Sequence, residues 1–232
     1  MEDFLYVVLK VHEDKKEVCE SRLFFVCKTE PNTDRIVDSK SLIDKGQRER
    51  KKVFQLLDKL HIPYERVEND VVETTEECEE IDRALGTEIR KSIFLCNQKK
   101  TSFFLIVMPA AKQLDTSALE KKLGVGHLSF ASAEMMEKHL GAKPGSASVM
   151  GLVNDEDEYV QLIIDKEVAD AEWFGCNPGI NTDHLKLKTA DLLNKFLPRI
   201  YHKAKIMELS RVDGKPGTRI KFRVFYFIKK DY

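Results

Sequence analysis

The fold prediction starts from the stretch LSFASAEMMEKHLGAKPGSASVMGLVND, residues 128–155. Its middle part predicts a short helix, Ala133–Leu140, which ends at Gly141 because glycine commonly follows a helix C-terminus. The next residues predict a stiff loop, since Gly141 and Gly145 allow backbone conformations closed to other residues and a proline lies between them. Residues 149–153 and 159–164, on either side of a polar turn, predict a β-hairpin after this loop.

Strands and helices are also predicted on both sides of this stretch. Residues 91–96 and 102–108 are apolar segments joined by a polar turn, and they predict an antiparallel pair of strands. Residues 42–60 carry apolar side chains at helical spacing. Further strands are predicted near residues 172–176 and 184–187. Short helices between many strands, without a regular alternation, predict an α+β fold with a mixed, largely antiparallel sheet.

The chain divides by pattern into an N-terminal extension, a main domain and a C-terminal extension. In the first, strands at residues 4–11 and 22–28 predict a hairpin, and residues 29–40 predict a linker. In the last, apolar residues alternate with Arg and Lys, as in a strand with one buried face. The three predicted parts are residues 1–40, 41–209 and 210–232.

Length and composition limit the class of protein. With 232 residues, of which 42% are hydrophobic, the chain can bury a sizeable core. The N-terminus lacks the basic and apolar regions of a secretory signal, and no apolar run approaches the ~18 residues of a membrane span. The five cysteines contain no C-x-x-C spacing, so neither a disulfide framework nor a zinc site is indicated. We therefore expect a cytoplasmic protein with no membrane association.

The net charge of −1 conceals an asymmetry along the chain. Residues 185–232 contain thirteen Lys or Arg and four Asp or Glu, whereas residues 65–88 contain ten acidic and two basic residues. A basic region of this kind can attract a polyanion although the whole chain is nearly neutral. The alternative is that these are ordinary solvated side chains on surface strands.

Nucleotide, metal and triad chemistry find no support in the motifs. Gly124-Val125-Gly126 has Ser129 where a dinucleotide fingerprint needs its third glycine, and Gly145 is not followed by the lysine of a P-loop. The six histidines show neither H-x-x-x-H nor H-E-x-x-H spacing, and no G-x-S-x-G element presents a serine. We expect no metal and no organic cofactor.

Several motifs occur in an order that is specific as a set. They are the stretch at residues 128–155, the segment K-S-I-F-L that begins at Lys91, Ile62-Pro63-Tyr64, and Asn177-Pro178 with Asn181-Thr182. In these motifs, residues 47–209 resemble the bacterial prolyl-tRNA editing family, the YbaK/EbsC-like aminoacyl-tRNA deacylases related to the inserted editing domain of prolyl-tRNA synthetases. The resemblance implies an editing-domain fold and hydrolysis of a mischarged tRNA ester.

The resemblance implies catalytic roles for Lys91 and Gly145. The family lysine matched by Lys91 reaches into the pocket, where a cation holds the phosphate of the terminal adenosine or polarises the ester. The loop at residues 141–145 would supply amide N–H groups that hold an oxyanion or orient a water. Without the resemblance, Lys91 is an exposed lysine at a strand end, and the loop is a helix C-cap followed by an ordinary turn.

The same resemblance assigns seven further residues to substrate binding: Ser92, Gly141, Pro144, Ser146, Ser148, Asn177 and Asn181. Hydrogen-bonded turn serines explain Ser146 and Ser148 nearly as well. Asn177 stands where many family members have histidine, so the side chain still donates and accepts hydrogen bonds but takes no charge near neutral pH. Ser92 stands where alanine-specific members often have asparagine, and Asn69-Asp70 replaces a common His-Pro.

The sequence thus predicts a trans-editing hydrolase that deacylates mischarged tRNA(Pro). Ala-tRNA(Pro) is the preferred substrate, because exclusion by size is the effective way for a small pocket to reject a larger side chain. Cys-tRNA(Pro) is the alternative substrate, and a non-catalytic protein that senses aminoacyl-tRNA or an amino acid is the alternative class. The expected partners are the acceptor end of tRNA(Pro) and prolyl-tRNA synthetase, with no prediction of the oligomeric state.

Overall fold

The computed structural model describes residues 24–27, 35–69 and 75–210 of the chain. The strands are β1 (Phe24–Cys27), β2 (Arg35–Asp38), β3 (Tyr64–Glu68), β4 (Lys91–Asn97), β5 (Phe103–Met108), β6 (Leu128–Phe130), β7 (Val160–Asp165), β8 (Trp173–Cys176), β9 (Asp183–Lys188) and β10 (Ala204–Met207). The helices are α1 (Ser39–Lys59), α2 (Thr75–Leu85), α3 (Thr116–Leu123), α4 (Ala133–Leu140), α5 (Lys166–Ala169), α6 (Thr189–Asp191) and α7 (Leu197–Arg199), with a 3₁₀ helix at Val149–Asn154 and a π-helical turn at Leu192–Phe196. The chain divides into two units, residues 1–48 and 49–232.

In the first unit, β1 and β2 form an antiparallel pair. β1 lies within the second predicted N-terminal strand, but its partner lies in residues 29–40, which were predicted as a linker and also contain the start of α1. Ile36 and Val37 supply the β-branched residues that a strand favours. The predicted strand at residues 4–11 and the predicted C-terminal strand lie outside the described residues.

In the second unit, a mixed sheet has the strand order β10-β7-β5-β4-β6. β4 pairs antiparallel with β5 and with β6, as predicted for β4 and β5, whereas β7 pairs parallel with both β5 and β10. The fold class is therefore confirmed as α+β with a mixed sheet. A second, antiparallel sheet has the order β3-β9-β8.

The two faces of the five-stranded sheet pack against separate sets of side chains. Along β4, Phe94 and Cys96 belong to a large cluster that includes Leu57 of α1 and Ala142 after α4. Ile93 and Leu95, which alternate with them along the strand, belong to a smaller cluster that includes Leu119 of α3. Successive residues of a strand point to opposite faces, so these clusters assign each β4 side chain to one face.

The predicted hairpin at residues 149–164 is wrong. Residues 149–154 form a 3₁₀ helix, and β7 inserts between β5 and β10 as a parallel strand. The hydroxyl of Ser148 caps this 3₁₀ helix by accepting a hydrogen bond from the Met150 N–H at 3.3 Å. Both segments are apolar because both are buried, and burial alone does not distinguish a short strand from a short helix.

Helix α4 has the predicted bounds, and both ends of α3 and of α4 carry local signals. Asp115 and Ser132 accept hydrogen bonds from the first turns of α3 and α4, and Gly124 and Gly141 end these helices with φ values of 68° and 61°. Among the described helices, none has both the length and the apolar character that spanning a membrane requires.

Candidate active site

The glycine loop after α4, residues 141–145, continues into a tight turn that requires one of its glycines. The Ser146 N–H donates to the carbonyl oxygen of Lys143 at 2.9 Å, with Pro144 and Gly145 as the two central residues. Gly145 has a φ of 89°. Proline in the first central position and a left-handed residue in the second define a type II turn, which strongly favours glycine there.

The backbone N–H groups of this loop differ in whether they donate a hydrogen bond within the protein. The Gly141 N–H donates to Glu137 and the Ser146 N–H closes the turn. Within the described part of the chain, the Gly145 N–H donates to no protein acceptor, and no atom outside the neighbouring residues lies within 4 Å of the position that a Cβ would take at Gly145. The loop is thus a helix C-cap and a turn, and its exposed Gly145 has an N–H that no described protein group accepts.

Two of the three serines that were predicted to bind substrate are buried. Ser146 is 7% exposed and Ser148 only 1% exposed. The Ser148 hydroxyl donates to the carbonyl oxygen of Asn177 at 2.6 Å, in addition to capping the 3₁₀ helix. This hydrogen bond brings the segment that follows the glycine loop against the end of β8.

Asn177 follows β8 and begins a turn. Its side-chain oxygen accepts a hydrogen bond from the Gly179 N–H at 2.9 Å, and Gly179 has a φ of 98°. This contact orients the half-buried Asn177 amide, because the oxygen is engaged and the NH₂ group remains as the donor. Asn177 thus offers a neutral donor where many family members have histidine.

The far end of the same turn is held by Asn69, which follows β3. The Asn69 side chain donates to the carbonyl oxygen of Asn181 at 3.1 Å, and its backbone N–H donates to that of Thr182 at 3.1 Å. The Asn69 side-chain oxygen lies 2.8 Å from Nδ1 of His184. Burial lowers the pKa of His184 to about 4, although Asp183 opposes this shift. A neutral His184 therefore donates to Asn69 near neutral pH.

Asp183 anchors the first residue of β9 through two arginines. Its carboxylate is fully buried, and Arg66 donates to it from Nε at 2.9 Å. Arg50 of α1 lies 3.3 Å from the same carboxylate. A buried carboxylate needs such partners, because an unpaired charge is costly to bury. The turn from Asn177 to Asp183 is therefore fixed at both ends.

Ser92 and Lys91 point to different faces of the five-stranded sheet. By the alternation of β4, Ser92 belongs to the face of Phe94 and Cys96, whose cluster includes Ala142 of the glycine loop. Lys91 pairs with Met108 and belongs to the opposite face. The Lys91 amine donates to the carbonyl oxygen of Lys112 at 2.7 Å.

The surroundings of Lys91 are partly desolvated. Burial lowers the pKa of Lys91, while the carboxylate of Glu88 acts in the opposite direction. The carbonyl that binds Lys91 belongs to Lys112, whose own amine is buried and lies 2.7 Å from both Asp165 and Glu167. This hydrogen bond directs Lys91 toward the loop after β5. That Lys91 and the glycine loop line one pocket stays a prediction.

Cys176 does not have the properties of a nucleophile. Its thiol is buried beside the Ser148 hydroxyl, and burial raises its pKa above the ordinary range of a thiol. The thiolate, which is the reactive form, is therefore disfavoured. Among the described residues, no cluster of three or more His, Cys, Asp or Glu side chains is arranged to hold a metal ion.

Two buried histidines and a buried aspartate form a cluster beside an open cavity of about 560 Å³. The sequence did not indicate this cluster. His139 and Asp155 line this cavity, and Nδ1 of His139 lies 3.5 Å from the Asp155 carboxylate. His202 approaches the other oxygen of Asp155 at 3.6 Å. His139 and Asp155 both lie in the stretch at residues 128–155, but their spacing matches no metal-binding or catalytic motif, and His202 lies far along the chain. No sequence signal therefore joins the three residues.

The structure therefore brings some predicted residues together. Ser148 joins the segment after the glycine loop to Asn177, and Asn181 lies on the same anchored turn as Asn177. Ser92 faces the cluster to which Ala142 of the glycine loop belongs. Lys91 lies on the other face of β4 at its first residue.

Comparison with known proteins finds relatives in both sequence and structure. The model of a family described as the aminoacyl-tRNA editing domain matches residues 70–195. The chain is 34% identical over 140 residues to the prolyl-tRNA editing protein ProX of Acetoanaerobium sticklandii. The aligned region covers 60% of this chain and 85% of that protein. It is 31% identical over 122 residues to the prolyl-tRNA synthetase associated domain-containing protein 1 of Mus musculus, covering 52% of this chain and 72% of that protein.

A solved structure shows the same fold. It is a crystal structure described as that of a candidate trans-editing enzyme for prolyl-tRNA synthetase, with a TM-score of 0.55 and 18% sequence identity. The match covers 70% of this chain and 97% of that chain. Because the family model matches more than half of the sequence, and ProX is similar over most of its length, the chain belongs to the aminoacyl-tRNA editing domain family and is an aminoacyl-tRNA deacylase.

Proposed function

We propose that the protein acts in trans on mischarged tRNA(Pro) and that Ala-tRNA(Pro) is its preferred substrate. The names of its relatives support prolyl-tRNA editing, and the Gly145 amide is the structural observation that carries the proposal. This N–H lies in a rigid type II turn, and it has no protein acceptor in the described residues. A preorganised backbone donor of this kind stabilises the oxyanion that forms when water attacks an ester.

The reaction needs no protein nucleophile. Water adds to the ester carbon, the bond to the ribose oxygen breaks, and that oxygen takes up a proton. The free hydroxyl beside the ester on the ribose can relay this proton, so positioning and electrostatics are the main contributions of the protein. The neutral, buried thiol of Cys176 fits this mechanism, since it offers no competing nucleophile.

Three other predicted residues are placed within this mechanism. The NH₂ group of Asn177 donates to the substrate, Ser92 lies on the sheet face shared with the loop, and Lys91 acts as the electrostatic anchor for the terminal phosphate. Alanine offers only a methyl group to the pocket, so rejection of proline depends on size. Cys-tRNA(Pro) is the second candidate substrate, because its side chain is only slightly larger.

The acceptor end of tRNA(Pro) is the expected partner. Prolyl-tRNA synthetase is the second expected partner, since the names of the mouse and bovine relatives refer to association with that enzyme. We propose that residues 41–209 perform the editing and that the basic C-terminal extension, residues 210–232, helps to hold tRNA.

The test is a deacylation assay with Ala-, Cys-, Ser- and Pro-tRNA(Pro). We expect hydrolysis of Ala-tRNA(Pro) to be fastest and Pro-tRNA(Pro) to be spared. Lys91→Ala should abolish turnover while tRNA binding survives, and Lys121→Ala, an exposed lysine of α3, serves as the control. Binding without hydrolysis of any of the four substrates by the unaltered protein would favour the non-catalytic alternative.

A further inference from the structure

We propose that Ser148 is a positioning residue that holds Asn177 in the pocket and thereby sets the selectivity between small and large aminoacyl groups. The inference rests on the proposed function. It departs from the expectation that the Ser148 hydroxyl itself contacts the substrate.

The first argument is the state of the Ser148 hydroxyl. It donates to the Asn177 carbonyl oxygen at 2.6 Å and accepts from the Met150 N–H at 3.3 Å. The hydroxyl has only one proton to donate, and that proton is engaged. With 1% of its surface exposed, Ser148 offers nothing to a ligand directly.

The second argument is what the Asn177 carbonyl would lack without Ser148. β8 ends at Cys176, so Asn177 has left the ladder that supplies hydrogen bonds to the strand. A partly buried carbonyl oxygen without a donor is unfavourable, and the backbone would move to regain one. Such a movement would carry the Asn177 side chain with it.

The third argument is the position of the two partners in the chain. Ser148 lies three residues after Gly145, while Asn177 lies 29 residues further along the chain. The hydrogen bond thus links the proposed oxyanion donor to the proposed side-chain donor. A small displacement between two such donors changes the shape of a pocket that selects by size.

The test compares kcat/KM for Ala-tRNA(Pro) with that for Pro-tRNA(Pro). The ratio of these values does not depend on the fraction of folded enzyme, so a loss of stability alone leaves it unchanged. We expect Ser148→Ala to lower the ratio about tenfold, as loss of one buried hydrogen bond implies. Ser148→Thr, which keeps the hydroxyl, should retain the ratio.

Ser132→Ala is the matched control, because it removes a serine hydroxyl from the N-cap of α4, at the opposite end of that helix from Gly141. It should reduce stability without changing the ratio. In an Asn177→Ala background, Ser148→Ala should have no further effect on the ratio, since the two residues act as one unit. An unchanged ratio in Ser148→Ala, or an additive effect in the double variant, overturns the proposal.

Hydrogen exchange separates failure of this proposal from failure of the proposed function. The Gly179 N–H is protected by the Asn177 side chain. Its exchange should accelerate about tenfold in Ser148→Ala if Asn177 moves, with Ser132→Ala as the reference. Faster exchange without turnover of any substrate by the unaltered protein would reject the function and keep the positioning. Unchanged exchange would reject the positioning itself.

Discussion

Replacing Gly145 by alanine tests the backbone donor most directly. Gly145 has a φ of 89°, and an added Cβ would meet no atom within 4 Å apart from its chain neighbours. The cost is therefore backbone strain alone, about 1–2 kcal/mol for an L-residue in the left-handed region. Gly124, which ends α3, has a φ of 68° and equally open surroundings, so Gly124→Ala is a control with the same expected strain.

The two variants should differ in activity and not in stability. Each should lower the melting temperature by roughly 2–8 °C, from the strain and the usual entropy of unfolding of a chain of this size. Relief of the strain turns the Gly145 amide away from its position, and loss of one oxyanion donor lowers kcat about 100-fold or more. Gly124→Ala should retain kcat. If Gly145→Ala loses stability like Gly124→Ala but keeps kcat within about threefold, the amide does not act as the donor.

Three further predictions concern packing, pH and binding. Gly175→Ala places a Cβ 2.5 Å from the Glu88 carbonyl oxygen. It should lower the free energy of unfolding, measured by urea denaturation, by about 1–3 kcal/mol. Gly126→Ala, whose Cβ would have no atom within 4 Å, should change the free energy of unfolding little. The pKa of His184 is lowered from 6.5 to about 4, so between these pH values the folded protein binds fewer protons than the unfolded chain. The folded state therefore loses up to about 3 kcal/mol of stability as the pH falls from 6.5 to 4. His184→Gln should reduce that loss and His61→Gln, at an exposed position, should not, as urea titrations at pH 7 and pH 4.5 would show. Neutralising Arg219, Lys221 and Arg223 should weaken tRNA binding and flatten its dependence on salt, and an unchanged salt slope would reject a role for these residues in binding.

Local signals predicted helices well and strand partners poorly. The bounds of α3 and α4 follow from caps and glycines within a few residues of each end. β4 and β5 were paired correctly because a short turn joins them. The partners of β7 are β5 and β10, which lie about 40 or more residues away, and no local pattern specifies such a parallel pairing. The predicted hairpin at residues 149–164 is wrong for this reason.

Motif order alone was enough to determine the family and the identity of the candidate residues, because the spacing of Lys91, the glycine loop and Asn177 is a property of the chain. The tertiary structure decided which of their groups are available. The Ser148 hydroxyl donates its proton to Asn177, the Gly145 N–H donates to no acceptor among the described residues, and Lys91 and Ser92 point to opposite faces of the five-stranded sheet. Hydrogen-bond partners, and the surroundings of each face of a strand, depend on segments that are distant in the chain. They are therefore determined only when the chain has folded.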